Sequence, residues 1–182
     1  MQSQNTFNQP IIAQLGHPVL QKQAKLVDDI LSDECQNLIG EMMVAVEKAN
    51  GVGLAAPQIY QSLQVFIMCS KPSVRYPNAP SMQPTAIINP EIIEASEELE
   101  KGWEGCLSVP SMRGLVPRHK SISVRYYDQH AKMHTRVFDD FVARIFQHEL
   151  DHLNGLTFID RLESPRDLVS ENYWYEHIVN KQ

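Results

Sequence analysis

The segment His148-Glu149-Leu150-Asp151-His152 constrains this chain more than any other part of it, because it sets two imidazoles four positions apart with a carboxylate beside the first. On a helix, residues i and i+4 share a face with Cβ atoms about 5–6 Å apart, so both rings reach one ion and the intervening glutamate stands next to it as a proton carrier. The pattern therefore needs a helix, and its neighbours supply one. Phe141, Val142, Ile145, Phe146, Leu150 and Leu153 recur at three- and four-residue steps. Asp139 or Asp140 is placed to cap the start, and Gly155 to take the left-handed position past the end. Apolar residues nearly all the way round predict a helix buried on most sides. A catalytic ion site needs a third protein ligand and a fourth position open to water; Cys106, in Glu104-Gly105-Cys106-Leu107-Ser108, is the candidate.

A Cys/His/His set with an adjacent carboxylate points to metal-assisted hydrolysis, in which an acidified water attacks a carbonyl and Glu149 is the general base. The thiolate favours a softer divalent ion, such as iron(II), zinc, cobalt or nickel, over magnesium or calcium, and the residue types do not choose among these. Two other functions share part of the pattern. A His-Glu-x-x-His metallopeptidase would take a downstream histidine or glutamate as third ligand instead of a cysteine. A binding module with a structural ion would ordinarily close its site with four protein ligands and would leave Glu149 without a task.

Three segments combine with this chemistry. Gly51-Val52-Gly53-Leu54-Ala55-Ala56-Pro57-Gln58, Glu104-Gly105-Cys106-Leu107-Ser108 and Gln147-His148-Glu149-Leu150-Asp151-His152, in this order, closely resemble the three motifs of peptide deformylases. The similarity runs from about Leu15-Gly16-His17-Pro18 through Phe158-Ile159-Asp160-Arg161-Leu162 and weakens at both ends. It implies removal of the formyl group from the N-terminal formylmethionine of newly made polypeptides, with formate and a free α-amine as products. One divalent ion on Cys106, His148 and His152 is implied, with iron(II) as the native metal and zinc, nickel or cobalt as alternatives. The resemblance makes Glu149 catalytic and assigns the oxyanion donors to the Gln58 side-chain amide and the Leu107 backbone N–H. By the same likeness Gly53, Gly105 and Arg113 line the peptide path, while Phe141 and Ile145 help to form an apolar pocket for the methionine side chain. An amide at Gln58 is sound on physical grounds too, since a neutral donor does not compete for the ion.

The chain departs from the family in two places. Phe138-Asp139-Asp140 stands just before the metal helix, where a small residue and a glycine are usual. The tail carries Arg166 and Lys181 against Glu163, Asp167, Glu171 and Glu176, unlike the basic helix that many bacterial members use for ribosome docking. Any encounter with the ribosome is expected to be transient and not through this tail.

At 182 residues the chain suits one catalytic domain with a substantial core. Sixteen basic against 22 acidic residues give a net charge of −6, which offers no broad electrostatic footprint for nucleic acid. No apolar run approaches membrane-spanning length, and the first residues lack the marks of a secretory or transit peptide, so a cytoplasmic location is expected. Cys35, Cys69 and Cys106 form no Cys-x-x-Cys pair; the first two read as small buried hydrophobes. His17, His119, His130, His134 and His177 lack ligand spacing.

The periodicity predicts a first long helix from about Asp29 to Asn50, stopped by Gly51, and strands over 63–69, 85–93, 122–127 and 133–138. Residues 71–84 read as a proline-rich loop, 94–101 as a solvated strand or loop edge, and 1–10 as a poorly ordered start. Tyr173-Trp174-Tyr175 is expected to fold back on the core. The sum is an α+β fold, with short, mostly antiparallel sheets folded around a central metal-binding helix.

Overall fold

The first helix begins where a serine satisfies its free N–H groups. In the computed structural model, which describes residues 11–73 and 75–179, α1 spans Asp33–Lys48, and the Ser32 hydroxyl accepts from the Cys35 N–H. Asp33 and Glu34 in its first turn and Lys48 in its last complement the helix dipole. The start thus lies four residues later than Asp29, whose carbonyl is taken by the Ser32 hydroxyl and whose carboxylate is taken by the Leu31 N–H. The stop also differs from expectation. Asn50, not Gly51, adopts the left-handed conformation at φ 48°, while Gly51 N–H bonds back to the Val46 carbonyl and Asn50 N–H to that of Glu47. That is a Schellman closure, which asparagine supports nearly as well as glycine.

Among the described residues eight strands follow: β1 Gly53–Ala55, β2 Val65–Ser70, β3 Met82–Ala95, β4 Leu99–Cys106, β5 Val109–His119, β6 Ser121–Tyr127, β7 Met133–Asp139 and β8 Leu168–Ser170. They form two antiparallel sheets, one in the order β1-β2-β3-β6-β7 and the other β4-β5-β8. The β6–β7 hairpin closes through Asp128, whose carboxylate accepts from the His130 and Lys132 N–H groups. The stretch read as a solvated edge is divided between the end of β3 and the start of β4, with its side chains mostly exposed.

Strand β2 shows how the layers meet. Its side chains alternate with the two-residue period of a strand, so Val65 and Ile67 pack toward α1, whereas Phe66 and Met68 pack on the opposite face. That second face receives α2, Asp140–Leu153, through Ala143, Ile145, Phe146 and Leu153. Phe66 and Phe146 meet edge to face at 5.2 Å, and both are fully buried. Each such large side chain contributes roughly 1.5–3 kcal/mol by burial. Helix α2 also contacts β5 of the smaller sheet, so it lies between the two sheets as the apolar pattern predicts. A third cluster, Val109, Val116 and Phe158, backs that smaller sheet.

The chain ends, among the described residues, with α3, Glu171–His177, laid along β5. Trp174 is buried and Tyr173 exposed, so the aromatic trio folds back through its middle member. Cys35 is buried as expected, and the Cys69 thiol donates to the Gly51 carbonyl. No described helix is long and apolar enough to cross a membrane. The expectation for residues 1–10 lies outside the described part of the chain.

Candidate metal centre and active site

Helix α2 starts under constraint. Asp140 has φ 49° and donates its N–H to the Lys120 carbonyl at 2.7 Å, while the Asp139 side chain makes no capping hydrogen bond. Neither aspartate therefore caps as the sequence suggested; a tertiary hydrogen bond to the β5–β6 turn sets the first turn instead. At the far end Gly155, at φ 73°, takes the left-handed position as expected, and Leu156 N–H closes on the Asp151 carbonyl.

Between these ends the helix delivers His148, Glu149 and His152 to the end of β4, where Cys106 sits. The sulfur and ring nitrogens of Cys106, His148 and His152 lie within 4.8 Å of one another, and Cys106 Sγ is 3.2 Å from His152 Nε2. His148 Nδ1 lies 2.9 Å from Glu104 Oε2; a carboxylate only accepts, so this nitrogen donates and the other ring nitrogen is free to ligate. Burial pushes the Cys106 thiol up, but the imidazoles, His152 above all, outweigh it and hold the thiol well below its ordinary range. For His148 burial acts downward and is overcome by Cys106 and Glu104, which raise it well above the usual imidazole value. The centre is thus a thiolate facing imidazoles with a carboxylate behind, a surround that suits a bound cation.

Glu149 is 4% exposed, and its Oε2 has no hydrogen-bond partner among the described residues. Burial first, opposed by His148 and His152, pushes its carboxyl up to about 7. Gly53 faces it so closely that a Cβ there would overlap the carboxylate, so only glycine admits Glu149 at this point. Gln58 is held rigidly. Its Oε1 accepts from Ala55 N–H at 2.9 Å, which turns Nε2 toward the Ser108 hydroxyl at 3.2 Å and Cys106 Sγ at 3.4 Å.

Cys106, His148, Glu149, Glu104 and Gln58 line one cavity of about 350 Å³. Gly53, Gln58, Gly105, Cys106, Leu107, Arg113, Phe141, Ile145, His148 and Glu149 line it together; His152 is fully buried, with its Nε2 against Cys106 Sγ. Every site residue expected from the sequence is therefore brought to the same place. Tyr76 packs at a tilt against Phe141 with ring centroids 4.8 Å apart, and its neighbour Arg75 donates to the Asn50 carbonyl at 2.5 Å, so the proline-rich loop covers one side. Phe138, at the departure from the family pattern, packs against Phe146.

Sequence reasoning missed the charges that support the centre. Glu104 accepts from Arg118 Nε and Nη2, both at 3.0 Å, and from Arg144 Nη1 at 3.0 Å, besides holding His148. Burial raises the Glu104 carboxyl, yet His148 and Arg118 outweigh it and hold it well below the usual carboxylate range. Arg118 also donates to Asp151 at 2.6 Å, and Arg161 to the same carboxylate at 2.6 Å. The lone arginine in an apolar stretch at Arg144 was an available signal, whereas Arg118, followed by His119 and Lys120, gave none, and their partners lie 14 to 40 residues away.

With this geometry in hand, the likeness to known proteins is extensive. The family model for polypeptide deformylases matches residues 10–167. Peptide deformylase 2 of Nostoc sp. is 52% identical over 172 residues, covering 94% of this chain and 95% of that protein. Peptide deformylase 2 of Shewanella oneidensis is 44% identical over 161 residues, 88% of each chain. Among solved structures, the Met-Ala-Ser-bound class I type b peptide deformylase of Acinetobacter baumannii superposes with a TM-score of 0.81 at 43% identity, covering 83% of this chain and 96% of that one. Peptide deformylase from Thermotoga maritima gives 0.76 at 38% identity, covering 86% and 99%. The chain belongs to the polypeptide deformylase family.

Proposed function

We propose that this chain is one catalytic domain that hydrolyses the formyl amide of N-formylmethionyl polypeptides, with Cys106, His148 and His152 holding a single divalent ion, iron(II) in the native enzyme. Zinc, nickel and cobalt suit the same donors, since one thiolate and two imidazoles form a borderline-soft set. The observation that carries the reading is the convergence of these three side chains beside a buried carboxylate, Glu149, that has an oxygen without a partner among the described residues. An orphaned buried acceptor is costly unless something is meant to reach it. When bound, the ion supplies Lewis-acid chemistry: it polarises a carbonyl and acidifies a water.

The chain's own residues do the rest. Glu149 takes a proton from the attacking water and returns it to the departing amine, so that formamide plus water becomes formate plus a free α-amine. The Gln58 Nε2–H and the Leu107 backbone N–H donate to the developing oxyanion, and Ala55 N–H keeps the amide from flipping. Glu104 fixes the ring of His148, and Arg118 and Arg144 fix Glu104. Phe141 and Ile145 receive the methionine side chain, while Gly53, Gly105 and Arg113 border the extended peptide.

The substrate is then the nascent chain, met in the cytoplasm, with at most a transient ribosome encounter and no direct contact with nucleic acid. The test is formate release from a formyl-Met peptide by anaerobically purified protein of known metal content. Stoichiometric metal with formate production supports the reading; a fully loaded protein that releases no formate, or that cleaves internal peptide bonds instead, overturns it.

A further inference from the structure

The match to the family model ends at residue 167, and the chain continues as a wall of the same cavity. Strand β8 adds to the edge of β5 with Arg113 opposite Val169 and Met112 opposite Ser170, which brings the next residue, Glu171, beside Arg113. Arg113 Nη2 donates to Glu171 Oε1. The guanidinium carbon lies 4.9 Å from the centre of the buried Trp174 ring, and the guanidinium also fills the space where a Cβ at position 105 would stand. Arg113 is thus packed against both Gly105 and Trp174, with its side chain 5% exposed, whereas the Glu171 side chain keeps 34% of its surface in the open. The more accessible charge at this point of the peptide path is negative.

We propose that Glu171 is a specificity-determining residue: it cancels Arg113 and presents a carboxylate to the peptide downstream of the formylmethionine, so that acidic substrate residues are disfavoured there and basic ones favoured. The inference rests on the deformylase reading above. Position along the substrate follows from Gly105, which touches Arg113 and is next to Cys106. An extended peptide advances about 3.3 Å per residue, so the second to fourth residues of the substrate come within range. One partly screened charge contact of this kind changes relative specificity about tenfold, which corresponds to roughly 1.4 kcal/mol.

The experiment measures kcat and KM for formyl-Met peptides bearing Glu, Lys or Ala at the second, third or fourth position, on preparations matched for metal. The Glu-to-Lys ratio of kcat/KM is taken within each enzyme, which cancels differences in folded fraction. Glu171→Gln and Glu171→Ala should each move that ratio about tenfold toward the Glu peptide at one or more positions, chiefly through KM. Two charge-removing variants are used so that a folding failure in one leaves the other. Glu171→Asp keeps the charge and should keep the wild-type ranking. Glu176→Gln removes an equal charge from the exposed part of α3 and should move the ratio less than twofold. An unchanged ratio in both charge-removing variants overturns the proposal, as does an equal shift from Glu176→Gln, which would assign the effect to net charge. If the wild-type protein deformylates no peptide, the deformylase reading falls and this inference with it; formate release with an unaltered ratio overturns this inference alone.

Discussion

Glu149 and Asp151 sit two positions apart on α2, both carboxylates and both nearly out of solvent at 4% and 3% exposure. Their surroundings are opposite. Asp151 is gripped by Arg118 and Arg161 with contacts as short as 2.6 Å, whereas Glu149 has an oxygen with no partner among the described residues and a carboxyl pushed up to about 7 by burial. A paired buried carboxylate fixes structure; an unpaired one beside a cluster of ligating groups is held ready to exchange a proton. On the proposed function the same helix presents a working face toward the cavity and a bracing flank toward the arginines, and the two should respond differently to substitution.

The largest effect is expected at Cys106. Cys106→Ser replaces a thiolate by a far poorer ligand, so metal content and turnover should fall together, to near background. Full metal occupancy, with unchanged thiolate-to-metal absorption in the cobalt form, would remove Cys106 from the ligand set. Next comes Gln58→Leu, which keeps the side-chain bulk and deletes the donor. It should lower kcat by about 10²–10³, or roughly 2.7–4 kcal/mol of transition-state stabilisation, with KM much less affected at matched metal loading. A change confined to KM would recast Gln58 as a ground-state contact. The smallest effect on turnover is expected on the bracing flank. Asp151→Asn leaves Arg118 with Glu104 alone, and should cost about 3 kcal/mol of stability and on the order of 10 °C in melting temperature. Its turnover per folded, loaded molecule should stay within a few-fold of wild type. A loss of turnover matching that of Gln58→Leu would erase the distinction between the two faces.

The working face was legible in the sequence because its parts are local: His148, Glu149 and His152 fall on one helix, and the motif around Cys106 is contiguous. The bracing flank was not, since Glu104 acquires its role only from His148, Arg118 and Arg144, brought together by two strands and a helix. Runs of β-branched and aromatic residues revealed four strands of the larger sheet, β2, β3, β6 and β7, but not the three-residue β1. The β4–β5 hairpin stayed hidden because glycines and prolines at 102, 105, 110, 114 and 117 break its β-pattern. These glycines are where Arg144, Arg113 and Phe158 approach the backbone, so the residues that obscured the strands are the ones that admit the supporting side chains. Helix ends divided in the same way. Gly155 announced its left-handed turn, whereas Asn50 did so without a glycine, and the start of α2 depends on a carbonyl from another part of the fold.

The most direct test of the division between the two carboxylates is Glu149→Ala, with metal content and formate release measured on one anaerobic preparation. The variant removes the proton carrier but no ligand, so it should hold close to one metal ion per chain while turnover on a formyl-Met peptide falls by about 100- to 10,000-fold. Near-normal turnover with metal bound would show that the proton passes through another group, and a parallel loss of metal would place Glu149 among the residues that build the centre instead of the one that works it.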